Sequence, residues 1–317
     1  MKQIIYLLFP TLLFFCQSCA FVSVPLFQPT SPLEEKTVQG TGKEKIVMVD
    51  ISGIISSEKK RTLSGFSEQP DMVARIKEEL DKAAEDKNVR GLILRINSPG
   101  GTTTASDIIH REILRFKKKT NAPVVACLLD LATSGAYYIA SAADRIIAHP
   151  TTVTGSIGVI AMKFDVSGLM GKLGISEESI KSGEKKDIMS PFRGLTDEER
   201  GIMQDIVDSL HKQFVTVVEQ GRPQLTASDI TSLADGRVFT AAQAKEHKLI
   251  DDIGYLDEAI EKVKEKTGLA KVRIVMYVRP PAYKNNIYSH SSVNIFGLAD
   301  TAFTEQFPVR FLYLWNP

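Results

Sequence analysis

Cysteine is scarce in this sequence of 317 residues, which contains only three. Two of them, Cys16 and Cys19, stand near the N-terminus, so Cys127 is the only cysteine in the rest of the chain. The main body can therefore form no internal disulfide and must be stabilised by its hydrophobic core. Cys127 lies in the apolar run VVACLL, which predicts the role of a small buried hydrophobic residue.

The chain also lacks an excess of charge of either sign. It has 39 basic and 38 acidic residues, which gives a formal net charge of +1. Proteins that bind nucleic acid usually carry a basic patch, so this balance does not favour nucleic acid as a partner. The hydrophobic fraction of 43% is ordinary for a globular protein, and the length allows one large or two modest cores.

Charge is almost absent from the N-terminus, where Lys2 is the only charged residue before Glu34. The run Ile4–Cys16 is almost wholly apolar and is shorter than the ~20 residues of a comfortable membrane span. This pattern predicts a secretory signal or membrane anchor over residues 1–24. The sequence CQSC at its end resembles a bacterial lipoprotein signal and makes Cys19 the candidate lipidated residue, with an uncleaved anchor as the alternative. Either arrangement tethers the body to a membrane outside the cytoplasm, on the periplasmic side.

The remainder of the chain divides by composition into three parts. Residues 25–44 are rich in proline, serine, threonine and glycine and are predicted to form a tether. Residues 45–280 alternate between short apolar runs and segments of helical periodicity, which predicts an α/β domain with a parallel sheet. Residues 281–317 are polar, aromatic and weakly periodic, and form a C-terminal extension.

Local patterns add more specific predictions within the domain. Asp71 is expected to cap a helix, and Thr196 with Glu199 forms a capping-box pair at the start of a long helix. Apolar residues predict a strand over residues 157–164, and residues 178–180 have a strand-like pattern as well.

Two turns in this domain carry residues suited to catalysis. The turn SPGG, whose last residue is Gly101, follows one predicted strand, and the next predicted strand ends close to Ser134. Adjacent parallel strands end at the same edge of a sheet, so the two turns should be neighbours. Glycines let backbone N–H groups approach a substrate, and the N–H of Ser134 is expected to be free to help bind an oxyanion. The simpler interpretations are a tight turn for SPGG and a helix N-cap for Ser134.

A serine nucleophile needs a base, and no histidine of this sequence stands in a recognisable motif. Three histidines lie in charged helical runs, which predict solvated faces: His110, His211 and His247. The other two, His149 and His290, lie in a predicted turn and in the C-terminal extension. The remaining candidate is Lys186 in the loop KSGEKKD, although such a loop taken alone is usually solvated surface.

Taken in their order along the chain, these segments resemble the motifs of the signal peptide peptidase A family, whose members are serine peptidases of the Clp/crotonase superfamily. The segment TSGAYY at residues 133–138 is similar to the family's TSGGYY-like motif, with Ala136 in place of a glycine. KSGEKKD resembles its KSGxxKD-like motif, TGS at residues 154–156 also matches, and GRVFT at residues 236–240 matches a further signature. The resemblance spans roughly residues 46–278, with the motifs in the same order and at compatible separations.

The resemblance implies a role for each of four residues. Ser134 would be the nucleophile, and Lys186, the lysine directly before the aspartate, would be the general base. Ser156 would orient the lysine amine, and the backbone N–H groups of Gly101 and Ser134 would form the oxyanion hole. The fold implied is the Clp/crotonase-like α/β fold, and the chemistry requires no metal or other cofactor.

The function implied is that of a membrane-associated serine endopeptidase with a Ser–Lys dyad. It would hydrolyse cleaved signal peptides and other hydrophobic peptides through an acyl-enzyme. Because each motif occurs once, the resemblance also implies a homo-oligomeric ring in which serine and lysine come from neighbouring subunits. Two alternatives are a crotonase-like acyl-transfer enzyme and a catalytically silent scaffold for membrane proteins. The export signal disfavours the first, and the intact motifs disfavour the second.

Overall fold

Strands and helices alternate along most of the folded chain. The computed structural model describes residues 32–58, 71–279 and 311–315, which all belong to one compact unit. Its strands are β1 (Glu34–Gly40), β2 (Lys45–Ser52), β3 (Val89–Ser98), β4 (Gly100–Thr102), β5 (Val124–Thr133), β6 (Arg145–Ala148), β7 (Val153–Gly155), β8 (Ile160–Ala161), β9 (Val238–Thr240), β10 (Asp252–Ile253), β11 (Arg273–Val278) and β12 (Phe311–Leu314). Its helices are α1 (Met72–Glu85), α2 (Thr103–Thr120), α3 (Gly135–Ala140), α4 (Ser167–Lys172), α5 (Asp197–Gly221), α6 (Ala227–Leu233), α7 (Ala241–Glu246) and α8 (Leu256–Thr267), and a 3-10 turn lies at Glu184–Asp187.

The main sheet has the strand order β1-β11-β2-β3-β5-β6-β10. Neighbours in this order are parallel, except that β1 pairs with β11 in the antiparallel direction. Strand β7 pairs in parallel with the end of β5, and β9 pairs antiparallel with β7. The predicted α/β class with a mostly parallel sheet is therefore confirmed.

Side chains of the central strands are buried on both faces of the sheet, as uninterrupted apolar runs predict. Along β2, Val47 and Val49 belong to one hydrophobic core, whereas Ile46 and Met48 belong to the other. This alternation follows from the two-residue period of a strand. Cys127 in β5 belongs to the second core, and its burial raises the pKa of the thiol to about 12. It is the small buried residue that the sequence predicts.

The two predicted helix starts are confirmed. The Asp71 carboxylate accepts a hydrogen bond from the Ala74 N–H at the start of α1. At the start of α5, the Thr196 hydroxyl accepts from the Glu199 N–H while the Glu199 carboxylate accepts from the Thr196 N–H. This capping box fixes where the chain enters its long helix after the loop that contains Lys186.

Three other predictions differ from the structure. Residues 157–164 are not a single strand, because β7 ends before them and β8 covers only Ile160–Ala161. Positive φ angles at Gly155 and Ser156 turn the chain there and end β7. Residues 178–180 are exposed and are not part of a strand. Within the predicted tether of residues 25–44, Glu34–Gly40 forms a strand because it completes the edge of the main sheet beside β11.

A second sheet is formed by β4, β12 and β8, with β12 in the centre and both pairings antiparallel. Strand β12 comes from the predicted C-terminal extension, which therefore contributes ordered structure to the body of the protein. Strand β4 contains both glycines of the SPGG turn. The extension consequently lies directly against one of the two turns that were predicted to be catalytic.

Within the described ranges, none of the helices is both long enough and apolar enough to cross a bilayer. The predicted signal or anchor over residues 1–24, including Cys19, lies outside the residues that the structure describes.

Candidate active site

The SPGG turn brings backbone very close to its neighbours, which explains its two glycines. Gly100 has a φ of 101°, and a Cβ there would lie 2.0 Å from the carbonyl oxygen of Tyr313. A Cβ on Gly101 would lie 1.9 Å from the carbonyl oxygen of Ile55. Any side chain at either position would collide with backbone, so the turn requires glycine twice.

Ser134 occupies the sharp turn between β5 and α3 and is almost completely buried. Its φ of 53° and ψ of −118° are unusual for a residue with a side chain. Such backbone strain costs on the order of 1–3 kcal/mol and is concentrated at functional sites. The Ser134 side chain makes no capping hydrogen bond to α3. The simpler interpretation of this serine as a helix N-cap is therefore not realised.

The expected oxyanion hole needs one correction. The Ser134 N–H is not free, because it donates to the Gly155 carbonyl at 2.7 Å. The N–H of the next residue, Gly135, is better placed to bind an oxyanion, because it lies close to the SPGG turn. A Cβ added to Gly100 would be 2.8 Å from the Gly135 nitrogen, and a Cβ added to Gly135 would be 3.3 Å from the Gly101 nitrogen. The backbone nitrogens of Gly101 and Gly135 thus flank one small space lined by glycine.

Sequence reasoning overlooked Gly135, although a signal for it was present. The first N–H groups of an α-helix have no partner within the helix, and Gly135 is the first residue of α3. The Gly155 carbonyl reaches the Ser134 N–H because β7 pairs with β5, which places Thr133 opposite Gly155. That pairing could not be predicted from the motif itself.

Ser156 directly follows the residue whose carbonyl accepts the Ser134 N–H. It follows Gly155, has a φ of 51°, and donates its N–H to the Arg237 carbonyl at 2.7 Å. That carbonyl belongs to the GRVFT segment, whose strand β9 pairs with β7. Ser156 lines a cleft of about 430 Å³ that is also bordered by Trp315. GRVFT therefore supports the turn that carries Ser156.

Lys186 is not brought to the serine within the described part of one chain. It lies in the exposed 3-10 turn at Glu184–Asp187, and its side chain is exposed. Among the described residues, no hydrogen bond or ion pair joins its amine to Ser134 or Ser156. The structure thus brings Gly101, Ser134 and Ser156 together and leaves Lys186 facing solvent.

The charged residues beside Lys186 are paired with other groups. The Lys185 amine donates to Glu198 at 2.5 Å, and this hydrogen bond raises the pKa of Lys185, so the amine stays protonated and cannot accept a proton at neutral pH. The Asp187 carboxylate accepts from Arg193 at 2.7 Å and from Lys181 at 2.8 Å. These two hydrogen bonds lower the pKa of Asp187, and its carboxylate pairs with Arg193 and Lys181.

Arg193 fixes the lysine loop to the start of α5. Its guanidinium donates to Asp187 on the loop and also to Glu199 in the capping box, at 2.6 and 2.8 Å. Hydrogen bonds from Arg193 and from the Thr196 backbone hold the pKa of Glu199 at about 2. Both carboxylates are therefore ionised at neutral pH, and the loop that presents Lys186 is anchored at its base.

None of the histidines in the described ranges hydrogen-bonds Ser134, and two of them differ from their predicted surroundings. His110 is buried with its ring edge against Tyr138, and burial lowers its pKa to about 4. His211 is half-buried, with its Nε2 2.7 Å from the Ala234 carbonyl. The predicted solvated faces are thus wrong for these two, because both helices pack their histidine side toward the body. His149 does lie in a turn, and His290 is outside the described residues.

No group of three or more histidine, cysteine, aspartate or glutamate side chains in the described ranges is arranged to hold a metal ion. The polar groups that do converge near Ser134 are backbone N–H groups and the Ser156 turn. Their arrangement suits the stabilisation of a negatively charged oxygen during acyl transfer.

Comparison with known proteins agrees with this chemistry. The profile of Peptidase family S49 matches residues 116–270, a range that contains Ser134, Ser156 and Lys186. A protein of Enterococcus faecium that carries the name signal peptide peptidase SppA is 36% identical over 253 residues, covering 80% of this chain and 72% of that protein. The chloroplastic serine protease SPPA of Arabidopsis thaliana is 31% identical over 264 residues, covering 82% of this chain and 38% of the plant protein.

Among solved structures, a membrane-bound stomatin-specific protease (1510-N) matches with a TM-score of 0.45 and 15% identity, covering 70% of this chain and 86% of that one. The length and identity of the match to the Enterococcus faecium protein decide the family. The chain belongs to Peptidase family S49, the signal peptide peptidase A family of serine peptidases.

Proposed function

We propose that this serine peptidase works through a Ser134–Lys186 dyad and an acyl-enzyme. The observation that carries the proposal is the setting of Ser134, which combines a strained turn, an adjacent pair of glycine N–H groups and no histidine partner among the described residues. Lys186 would take the proton of the Ser134 hydroxyl, and Ser156 would orient the amine. The N–H groups of Gly101 and Gly135 would stabilise the oxyanion, with each donor contributing roughly 3–4 kcal/mol.

The lysine would reach the serine from a neighbouring subunit. A lysine amine in water keeps its proton at neutral pH, so another surface must cover it before it can act as a base. Lys186 stands on a segment that exposes large apolar side chains: Phe164, Leu169, Leu173, Ile175 and Ile180. Soluble proteins rarely expose such a contiguous apolar segment unless another molecule covers it.

A second copy of this chain is the occupant that fits best. Each chain has one buried serine site without a lysine and one exposed lysine without a serine. Head-to-tail contact would join the two and cover the apolar segment at the same time. If the same contact is repeated and the rotation between neighbouring subunits is a whole-number fraction of 360°, the subunits form a closed ring.

The substrates would be hydrophobic peptides such as cleaved signal peptides. Strands β4 and β8 form the edges of a groove next to the SPGG turn that β12 occupies in the structure, and the rings of Tyr138 and Phe214 pack against Tyr313 there. An extended apolar peptide could add a strand there and bury its side chains. The name of the Enterococcus faecium relative points to the same class of substrate.

The chain would be attached to a membrane by its N-terminus, with the peptidase domain on the extracytoplasmic, periplasmic side. Lipidation of Cys19 after removal of the preceding residues is the form of attachment that CQSC supports. Because β1 begins at Glu34, the tether between Cys19 and the body would be short. Mass spectrometry of the mature N-terminus should find Cys19 first with a diacylglycerol mass added, whereas an intact Met1 would establish an uncleaved anchor instead.

Covalent labelling tests the proposed chemistry. A fluorophosphonate should modify Ser134 of the full chain, and the same protein should hydrolyse casein or a hydrophobic peptide. Ser134→Ala is the matched control and should take up no label. Neither labelling nor turnover would favour the silent scaffold, and hydrolysis of coenzyme A thioesters without peptide turnover would favour the crotonase-like alternative.

A further inference from the structure

The segment that carries Lys186 has no hydrophobic core of its own. The structure describes residues 158–198 without a gap, and none of them is buried. The backbone N–H of Lys186 donates to the Gly183 carbonyl at 3.1 Å, which closes the 3-10 turn but does not tie it to the body. Burial of apolar surface is the main force that holds segments of a protein in place. Polar contacts must therefore set the position of this turn.

Arg193 connects the turn to α5 through two carboxylates. On one side it binds Asp187, the residue after Lys186, with its Nε 3.0 Å from one carboxylate oxygen and its Nη2 2.7 Å from the other. On the other side it binds both carboxylate oxygens of Glu199, at 2.6 and 2.8 Å. A planar guanidinium that pairs with carboxylates in this way fixes direction as well as distance.

The Glu199 end of this connection is firmly held. The Glu199 side chain is only 2% exposed, and its carboxylate also accepts the Thr196 N–H at 2.9 Å in the capping box. Isolated ion pairs on a surface contribute little, but bidentate arginine pairs and charge networks are the exception. Lys186 is thus one residue away from a carboxylate that Arg193 fixes to the start of a 25-residue helix.

The same charges distinguish Lys186 from the other lysines of the loop. Lys181 is paired with Asp187 at 2.8 Å, and Lys185 is paired with Glu198 at 2.5 Å. Among the residues that the structure describes, Lys186 has no such ion pair. The amine next to the Asp187 carboxylate is therefore the one that remains available to a serine.

We propose that Arg193 is a positioning residue of the peptidase, which places the Lys186 amine by holding Asp187 against Glu199. The proposal rests on the proposed Ser134–Lys186 dyad. The hydrogen bonds of Arg193 go to Asp187, Glu199 and the Gly194 carbonyl, all on the lysine side of the site, so Arg193 would act only through Lys186. Catalysis depends on such placement, because an error of about 1 Å can cost roughly a hundredfold in rate.

Two single variants and their combination test this role in the full-length protein. Arg193→Gln removes the cation, and Asp187→Asn removes the negative charge with little change in shape. Each should lower kcat on a hydrophobic peptide about 30-fold and change KM by no more than about twofold, because the base is misplaced while the substrate groove is intact. Since both variants break one connection, the double variant should be no more than about twofold slower than Asp187→Asn.

The conservative variant Arg193→Lys keeps the charge but cannot bind both carboxylates in the same way. It should recover part of the rate, to about fivefold below wild type. Glu198→Gln is the matched control, because it removes a different ion pair between the same turn and the same helix. This control should retain most of the activity, since a single exposed ion pair contributes little.

A further test uses Lys186→Ala, in which no amine is left to be positioned. Adding Arg193→Gln should leave its residual rate unchanged within about twofold, because independent losses would multiply and losses through one residue do not. Thermal unfolding and sedimentation of every variant should match those of the wild type.

An unchanged kcat in Arg193→Gln, or losses that multiply in either double variant, would overturn the positioning role. Activity lost together with thermal stability or with a change in sedimentation would also overturn it, because Arg193 would then serve folding or assembly. Robust turnover by Lys186→Ala alone would instead refute the dyad, a result that is distinct from any outcome of the Arg193 variants.

Discussion

Replacing Ser134 or Lys186 by alanine is expected to lower peptidase activity at least about a thousandfold, because nucleophile and base act as one unit and neither works alone. The expected effect is measured as kcat/KM on a hydrophobic peptide. Ser156→Ala should lower activity less, since in the proposed dyad Ser156 would orient the base and not replace it. Thermal unfolding should show that each variant remains folded.

Lys185→Ala is the matched control for this prediction. Lys185 is adjacent in sequence and equally charged, but its amine is paired with Glu198. An exposed ion pair contributes little to stability, so the variant should fold and retain most of its activity. Robust turnover by Lys186→Ala, or a loss of activity in Lys185→Ala as large as that in Lys186→Ala, would show that the base has been assigned to the wrong residue.

Mixing the two inactive variants should restore activity if the dyad is shared between subunits. Lys186→Ala still supplies an intact serine, and Ser134→Ala still supplies an intact lysine. In an evenly mixed ring with random order, about a quarter of the directional contacts would pair the intact groups. Activity should therefore rise from background to roughly a quarter of the wild-type value per subunit, in proportion to the number of repaired contacts.

Subunit exchange must be measured alongside activity, for example by energy transfer between dyes on the two variants. A mixture of Ser134→Ala with the double variant Ser134→Ala, Lys186→Ala is the control and should stay inactive, because it contains no intact serine. If dyes mix fully while the first mixture also stays inactive, serine and lysine come from the same chain. That result would reject the shared site without rejecting the dyad.

That the SPGG turn and Ser134 are neighbours could be predicted from the sequence, because it depends on local patterns. Uninterrupted apolar runs identify β3 and β5, and parallel pairing brings their ends, SPGG and Ser134, to one edge. The requirement for glycine at Gly100 and Gly101 is not local, since the backbone atoms that leave no room for a side chain belong to Tyr313 and Ile55.

Features that depend on distant partners could not be predicted in this way. The Ser134 N–H is occupied by the carbonyl of Gly155, which is brought there only when β7 pairs with β5. His110 was predicted to be solvated because its neighbours along the chain are charged, yet packing against Tyr138 buries it. In both cases the deciding contact comes from another element of the fold.

The C-terminal strand was the largest omission. Residues 281–317 have weak periodicity, and the partners of β12 are the three-residue β4 and the two-residue β8. Neither partner has the length or the alternation that identifies a strand in a sequence. Backbone pairing, together with one well-fitting tyrosine, holds β12 in place, and such pairing leaves little trace in residue patterns.

The occupied groove has a consequence for the concentration dependence of the enzyme. Because β12 belongs to the same chain as the groove in which it lies, it is an intramolecular competitor of every incoming peptide. Dilution removes an inhibitor that is free in solution, but it leaves the local concentration of a tethered one unchanged. The apparent KM for peptides should therefore be raised by the same factor at all enzyme concentrations, and Tyr313→Ala, which removes the ring that packs against Tyr138 and Phe214, should lower that factor.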